Sequence, residues 1–162
     1  MKKAIYAGSF DPLTNGHLWI IEQGVNLFDE FTIAIGVNPE KKYTFSVEDR
    51  HAMIEESVGG RFNVEIDIIK NQFLVKYAED MNAQYILRGI RNESDYIYER
   101  GMHYINRDIS STVSTIFMMP PRGMAEISSS FIKGLIGPKG WGQVVEQYVP
   151  ASVYQRILSK FS

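Results

Sequence analysis

The chain has 162 residues, of which 44% are hydrophobic and 22% charged, with a formal net charge of -2 and no cysteine. This length predicts one domain over 1–162 and the composition excludes an intrinsically disordered chain, while the balanced charge argues against a nucleic-acid or membrane-surface binder. The lack of cysteine excludes thiolate chemistry, and no apolar run is long enough for a membrane span, so we expect a cytoplasmic protein.

The first predicted elements surround a polar turn. A short apolar run at 4–7 leads into the turn Gly8–His17, and residues with helical apolar spacing follow from Leu18 to Phe28. This pattern predicts a strand, a tight turn and a helix. Because the start of a helix attracts anions, the turn predicts a phosphate site with His17 within reach. An ordinary connection with a solvent-exposed histidine explains these residues alone equally well.

The remaining chain alternates short apolar runs with longer segments of helical period. Further strands are predicted at 31–37, 63–68, 85–87 and 113–119. Helices are predicted at 47–58, at 74–81, at 93–108, after Ser128 and after Pro150, with a loop at 137–142. The alternation predicts an α/β, Rossmann-like doubly wound fold, in which a five-stranded, mostly parallel sheet carries helices on both faces.

Four segments at the predicted carboxyl ends of the strands carry groups suited to anions, and ligands bind at this edge in such folds. They are Gly8–His17, the loop with Lys41 and Lys42, Arg88–Arg91, and Ser128–Ser130. Two guanidiniums can clasp phosphate oxygens, and hydroxyls at a helix start can cradle them. Taken singly, each segment also fits surface ion pairs, solvated lysines or a helix cap. Their convergence favours an anion site.

The long predicted helix has two faces. One is polar, with Asp95, Glu99 and Asn106, and the other is apolar, with Tyr98, Met102, Ile105 and Ile109. Glu99 is placed to accept hydrogen bonds from a ligand or from Arg91, and a solvated helix face is the plainer interpretation.

The histidines do not form a metal site. His51 lies on the apolar stripe of the second helix, with Val47, Ile54 and Val58, and His103 lies among aromatic residues, so we interpret both as structural. No cluster has metal-ligand spacing, and any Mg²⁺ is expected to come with substrate phosphates. The sequence also lacks the P-loop and the Gly-x-Gly-x-x-Gly motifs.

Four motifs in this order resemble those of one enzyme family. They are Gly-Ser-Phe-Asp-Pro-Leu-Thr-Asn-Gly-His at 8–17, Leu-Arg-Gly-Ile-Arg at 87–91, Asp-Tyr-Ile-Tyr-Glu at 95–99 and Ile-Ser-Ser-Ser-Phe-Ile-Lys at 127–133. The chain resembles the bacterial phosphopantetheine adenylyltransferases, of the nucleotidyltransferase superfamily with a T/HxGH motif, nearly end to end. The resemblance implies transfer of the adenylyl group of ATP to 4'-phosphopantetheine, giving dephospho-coenzyme A and pyrophosphate, the penultimate step of coenzyme A synthesis. It also implies a homohexamer and Mg²⁺ carried with the ATP phosphates.

The resemblance further implies which residues form the site. It implies catalytic roles for His17, Lys41, Arg88 and Arg91. It implies that 4'-phosphopantetheine contacts Ser9, Lys41, Leu74, Arg88 and Asn106. It implies that ATP contacts Ser9, Phe10, His17, Gly89, Ile90, Arg91, Glu99, Met124, Ala125, Glu126, Ile127, Ser128, Ser129 and Ser130. No metal ligand is implied among the protein's residues.

The chemistry expected of these residues is charge neutralisation. A phosphate monoester is already an anionic nucleophile, so direct in-line attack needs no strong base and no covalent intermediate. Two alternatives stay open: another member of the superfamily, such as a nicotinate mononucleotide adenylyltransferase or a cytidylyltransferase, and a nucleotide-binding regulatory module without catalysis. The motifs at 87–91 and 95–99 argue against the first, and His17 together with the cationic residues argues against the second.

Overall fold

The computed structural model describes residues 1–162, in which five strands alternate with helices. The strands are β1 (Lys3–Gly8), β2 (Glu30–Val37), β3 (Glu65–Lys70), β4 (Tyr85–Gly89) and β5 (Ser114–Met118). The helices are α1 (Asn15–Leu27), α2 (Val47–Val58), α3 (Leu74–Asp80), α4 (Glu93–Ile109), α5 (Ser129–Leu135), α6 (Trp141–Val145) and α7 (Ala151–Phe161), with a 3-10 turn at Arg122–Met124. None of the helices combines the length and the apolar character needed to cross a bilayer.

All five strands are parallel and form one sheet in the order β3-β2-β1-β4-β5. The predicted Rossmann-like sheet is therefore confirmed. The chain first moves outward from β1 to β3 and then crosses to β4, so the strand order reverses next to β1. In doubly wound sheets ligands bind at this reversal, beyond the carboxyl ends of the strands. Here those ends are Gly8 of β1 and Gly89 of β4.

Helices cover both faces of the sheet, as predicted. Alternate residues of β1 show this, because Ala4 and Tyr6 belong to a core cluster of 19 buried residues whereas Ile5 and Ala7 belong to a separate cluster of 10. The larger cluster includes buried side chains of α1, α2 and α7, and the smaller one includes those of α3. Burial on both sides explains why the central strands are almost continuously apolar.

The segment after α6 returns to the start of α1. The backbone N–H of Asn15 donates to the carbonyl of Tyr148 over 2.9 Å, and the Asn15 side chain donates to the carbonyl of Gln147 over 3.2 Å. Residues late in the chain therefore hold the first residue of α1.

Three local predictions differ from the structure. The third strand begins at Glu65 and ends at Lys70, two residues later than predicted. The predicted loop at 137–142 already includes the first two residues of α6, which follows Gly140 in the left-handed region (φ 83). In α2 the buried face contains Arg50 and Met53, whereas the predicted His51 points outward towards Glu55. Helical spacing counted from the cap residue Ser46 places Arg50, rather than His51, on the face of α2 that packs against the core.

The predicted apolar face of α4 exists but is not buried. Tyr98 is 62% exposed and Ile105 47% exposed, and the buried residue of α4 is Glu99. Ile109, at the end of the helix, does pack against the smaller core cluster. His103 is half-buried, with its ring edge-on to Tyr104 and Phe117.

Candidate active site

The polar turn after β1 is closed by a reciprocal cap at the start of α1. The Thr14 hydroxyl accepts a hydrogen bond from the His17 backbone N–H, and the backbone N–H of Thr14 donates to Nδ1 of His17 over 3.1 Å. This is a capping box in which histidine replaces the usual Glu or Gln. The cap fixes the His17 ring at the first turn of α1.

The same contact determines which ring nitrogen of His17 carries the proton. Because Nδ1 accepts the Thr14 N–H, the neutral ring must carry its hydrogen on Nε2. Burial, with the positive charges of Arg91 and Arg88, lowers the pKa of His17 to about 4. His17 is therefore a neutral Nε2–H donor near neutral pH.

Phe10 packs its buried ring against His17 within the turn. It is 1% exposed, has φ 49 and places its ring edge-on to His17 at 5.3 Å between centroids. A Cβ on Gly8 would lie 3.0 Å from Phe10 Cζ, so glycine at position 8 lets this ring approach the backbone without being displaced.

Asp11 ties the turn to two other segments. Its buried carboxylate accepts from the backbone N–H groups of Thr44 and Phe45, both over 2.8 Å, and lies 3.5 Å from Nζ of Lys133. Both N–H donors come from the loop after β2 and not from the turn that contains Asp11. Asp11 thus holds that loop and α5 against the turn.

The carboxyl end of β4 presents two paired arginines. Arg88 donates to both carboxylate oxygens of Glu99 over 2.5–3.0 Å and to the carbonyl of Ala7 over 2.6 Å. Arg91 instead pairs with Asp95 over 2.8 and 3.0 Å, so Arg91, one of the two partners considered for Glu99, is not the residue that Glu99 binds. Both pairs leave N–H groups of each guanidinium without a protein acceptor, since arginine has five donors.

The two ion pairs also shift the pKa values of Arg88 and Asp95. Burial acts to lower the pKa of the Arg88 guanidinium, but the hydrogen bond and charge of Glu99 outweigh it and raise that pKa. Burial likewise opposes ionisation of Asp95, and the hydrogen bonds from Arg91 reverse this and lower the pKa of Asp95. Both shifts favour the charged form, the guanidinium of Arg88 and the carboxylate of Asp95.

Lys41 and Ser9 meet on the opposite side of the β1 end. Nζ of Lys41 donates to Oγ of Ser9 over 3.2 Å. Lys41 is exposed, and its ammonium lies 5.5 Å from the ring centroid of Tyr43. An ammonium has three donors, so Lys41 keeps others for a ligand.

The start of α5 packs directly on the turn. Ser128 caps the helix by accepting from the Phe131 N–H over 3.0 Å, as predicted, and Ser129 Oγ donates to the Pro12 carbonyl over 2.8 Å. A Cβ on Gly16 would lie 3.2 Å from the Ile127 carbonyl oxygen. The first and last of the four sequence motifs are therefore in contact.

These segments surround a cavity of about 440 Å³. Its lining draws on all four predicted segments and includes most of the predicted site residues, namely Ser9, Phe10, His17, Lys41, Arg88, Gly89, Arg91, Glu99, Met124, Ile127, Ser128, Ser129 and Ser130. A second cavity of about 480 Å³ adjoins it and contains Leu74, with Val37 and Ile69. Six residues line both: Ala7, Gly8, Ser9, Lys41, Arg88 and Tyr98.

Four predicted residues do not line either cavity: Ile90, Asn106, Ala125 and Glu126. Ile90 is buried and its N–H donates to the carbonyl of Met118, which closes the β4 end against β5. Asn106 lies half-buried near the end of α4.

Sequence reasoning did not assign several lining residues, among them Tyr6, Asp11, Asp95 and Lys133. Lys133 follows Ser129 by one helical turn, and this spacing alone could have placed it at the same edge. Asp95 stands four residues after Arg91, the spacing of a helical ion pair. Burial raises the pKa of the Tyr6 hydroxyl despite Arg88 and Arg91, so Tyr6 is a neutral part of the wall.

Known proteins resemble this chain in both sequence and fold. Residues 5–135 match the Cytidylyltransferase-like family model. The phosphopantetheine adenylyltransferase of Chromobacterium violaceum is 54% identical over 162 residues, 100% of this chain and 99% of that protein. That of Neisseria meningitidis serogroup C is 49% identical over 159 residues, 98% of this chain and 94% of that protein. A solved Plasmodium falciparum nicotinic acid mononucleotide adenylyltransferase complexed with NaAD shares the fold, with a TM-score of 0.73, 17% identity and coverage of 100% and 99% of the two chains.

Proposed function

Since the chain belongs to the phosphopantetheine adenylyltransferases, within the cytidylyltransferase-like nucleotidyltransferases, we propose that it transfers the adenylyl group of ATP to 4'-phosphopantetheine by direct in-line attack in the two joined cavities. The products are dephospho-coenzyme A and pyrophosphate. The observation that carries the proposed site is the shared wall of Ser9, Lys41 and Arg88. A transfer between two substrates requires one place at which both can present a phosphate.

ATP occupies the cavity beside His17, and 4'-phosphopantetheine occupies the neighbouring one. The first cavity has the helix starts of α1 and α5 and the cation Arg91, which suit the triphosphate. The second has apolar side chains at Val37, Ile69 and Leu74, which suit the uncharged pantetheine arm. The phosphate of that arm then lies at the shared wall, where Lys41 and Arg88 retain donors.

The reaction is a single displacement at the α-phosphorus. A phosphate oxygen of 4'-phosphopantetheine forms a bond to that phosphorus while the bond to the bridging oxygen of the β-phosphate breaks, and pyrophosphate leaves with the electron pair. The nucleophile is already an anion, so His17 is not needed as a base. Its neutral Nε2–H donates to an α-phosphate oxygen, where negative charge increases in the transition state.

Magnesium arrives with ATP as part of the substrate. No three histidine, aspartate or glutamate side chains are close enough to hold a metal ion, and Asp95 and Glu99 at the cavity are bound by Arg91 and Arg88. The oxygen ligands that Mg²⁺ prefers are then those of the nucleotide phosphates and water.

The chain assembles with copies of itself through α4 and the edge strand β5, and the family resemblance makes a homohexamer the expected assembly. Exposed apolar side chains are concentrated on these two elements and just after them: Tyr96, Ile97, Tyr98, Tyr104, Ile105, Phe117 and Met119. A second copy is the occupant that fits, because β5 is an edge strand and an uncovered apolar surface of this extent favours association. The protein functions in the cytoplasm, where ATP is available.

One assay tests the proposed function. Pyrophosphate release from MgATP is measured with 4'-phosphopantetheine, with nicotinate mononucleotide, and without an acceptor. We expect rapid release with 4'-phosphopantetheine alone. Preference for nicotinate mononucleotide would assign the chain to another branch of the superfamily, and ATP binding without any release would indicate a regulatory module.

A further inference from the structure

Arg50 is a buried arginine that the proposed mechanism does not use. It is 1% exposed and projects from the first turns of α2 into the larger core. It takes part in none of the chain's salt bridges. Burying a charged group without a counter-ion is costly, so its environment must compensate in another way.

Backbone carbonyls and one aromatic ring provide that compensation. Nη1 of Arg50 donates to the carbonyl of Ser9 over 2.8 Å and to that of Gly36 over 3.1 Å. The guanidinium also lies 4.0 Å from the ring centroid of Tyr43, within the range of a cation–π contact. One side chain therefore joins the turn after β1, the end of β2 and the loop after it.

These are the segments that carry Ser9 and Lys41. Tyr43, which stacks on Arg50, also contacts Lys41 with the same ring, and its hydroxyl accepts from the Asn38 N–H over 2.9 Å. The loop that carries Lys41 therefore packs on the Arg50–Tyr43 pair. Nζ of Lys41 then reaches Ser9 Oγ over 3.2 Å at the wall that both cavities share.

We propose that Arg50 is a positioning residue for the acceptor phosphate: its guanidinium holds the carbonyls of Ser9 and Gly36 together and so keeps Lys41 at the wall between the two cavities. This inference rests on the proposed role of Lys41. Arg50 itself lines neither cavity, so its effect is on placement. Of the residues that it contacts, Gly36 and Tyr43 line only the second cavity whereas Ser9 lines both, so the effect falls on the acceptor more than on ATP.

The test is a comparison of Michaelis constants in purified variants. Arg50→Met keeps the aliphatic stem but cannot donate, and we expect the KM for 4'-phosphopantetheine to rise about tenfold with less than about a threefold change in the KM for ATP. Arg50→Lys keeps the charge but cannot bridge two carbonyls as a planar group, so its rise should be smaller. Tyr43→Phe perturbs the core less than the Arg50 variants do, because it keeps the ring and loses only the hydroxyl.

Val58→Ala is the matched control for stability, because Val58 is buried in the same helix but lies at its opposite end. At an equal loss of melting temperature it should leave the acceptor KM unchanged. If Val58→Ala and Arg50→Met raise both Michaelis constants alike, Arg50 has only a structural role.

A double-mutant cycle separates this inference from the proposed function. If Arg50 acts through Lys41, Arg50→Met should raise the acceptor KM much less in a Lys41→Ala background than in the wild-type chain. Fully additive effects would overturn the positioning role. An unchanged acceptor KM in Lys41→Ala would contradict the proposed site itself, whereas a raised value there with no change in Arg50→Met would overturn the Arg50 inference alone.

Discussion

The Thr14 backbone N–H and Nδ1 of His17 form a 3.1 Å hydrogen bond that links the helix cap of α1 to the proposed chemistry. A cap residue at this position normally satisfies only the free N–H groups of the helix start. Here the capping side chain is a ring with a second nitrogen. The contact that starts the helix therefore also fixes which nitrogen of His17 can donate to a phosphate.

Replacing His17 tests its role in the transition state. We expect His17→Ala to lower kcat by about two to four powers of ten while the KM for ATP changes little. His17→Gln, whose amide keeps an N–H donor, should lose less. Steady-state pyrophosphate release measures both constants. A loss confined to ATP affinity, with turnover intact, would remove His17 from the chemical step.

The low pKa of His17 predicts an unusual pH response. With a folded-state pKa of about 4, below the usual 6.5, His17 stays neutral through pH 5 and kcat should show no inflection near pH 6.5. The depressed pKa also means that the unfolded chain binds the proton more readily than the folded one. The contribution of His17 to the free energy of unfolding is therefore fully present above pH 6.5 and is lost as pH falls towards 4. The melting temperature of the wild-type protein should decline more over this range than that of His17→Gln. Parallel curves of melting temperature against pH for the two proteins would mean that folding does not lower the pKa of His17.

The two arginine pairs should differ in their contribution to stability. Glu99 is buried, so Glu99→Gln leaves Arg88 without its charge partner and should destabilise the fold by about 2 kcal/mol. Asp95→Asn breaks the more exposed pair with Arg91 and should cost about 1 kcal/mol or less. Urea unfolding gives both values. Equal losses would mean that burial does not distinguish the pairs.

The contact between Gly16 and Ile127 predicts a coupling between the two phosphate-binding segments. An alanine Cβ at position 16 would meet the Ile127 carbonyl oxygen at 3.2 Å, so α5 must shift by a few tenths of an ångström. We expect Gly16→Ala to raise the KM for ATP by about tenfold with only a small loss of melting temperature. Gly134→Ala, which lies within α5 and meets no atom within 4 Å, is the control. An unchanged KM for ATP in Gly16→Ala would show that α5 adapts freely.

The exposed face of α4 should hold copies of the chain together. Ile105→Glu places a charge within this apolar surface and should reduce the oligomer to smaller species, as measured by light scattering after size-exclusion chromatography. Leu27→Glu, at a 54% exposed leucine on α1, should leave the assembly unchanged. A wild-type protein that is monomeric at micromolar concentration would contradict the proposed interface.

Local patterns in the sequence predicted much of this fold. Strand runs and helix starts are short-range features, so the turn at Gly8–His17 and the helices that begin after Ser46 and after Ser128 were all found. The prediction of one domain over 1–162 remains a prediction, although all strands join a single sheet.

The partners of buried charges could not be predicted, because they depend on contacts between distant segments. Asp11 binds N–H groups 33 and 34 residues away, and Arg50 reaches a carbonyl 41 residues away. Glu99 pairs with Arg88 rather than with Arg91 because of where β4 ends relative to α4. No periodicity in the sequence shows this relative position.

The hydrogen bond from Asn15 to the carbonyl of Tyr148 has a consequence for protein synthesis. The turn that carries His17 leaves the ribosome before one of its anchors, which is made more than 130 residues later. A nascent chain can pair β1 with β2 early, but the start of α1 stays untethered until Tyr148 emerges. Competence to bind nucleotide should accordingly arise only after Tyr148 has been added to the chain.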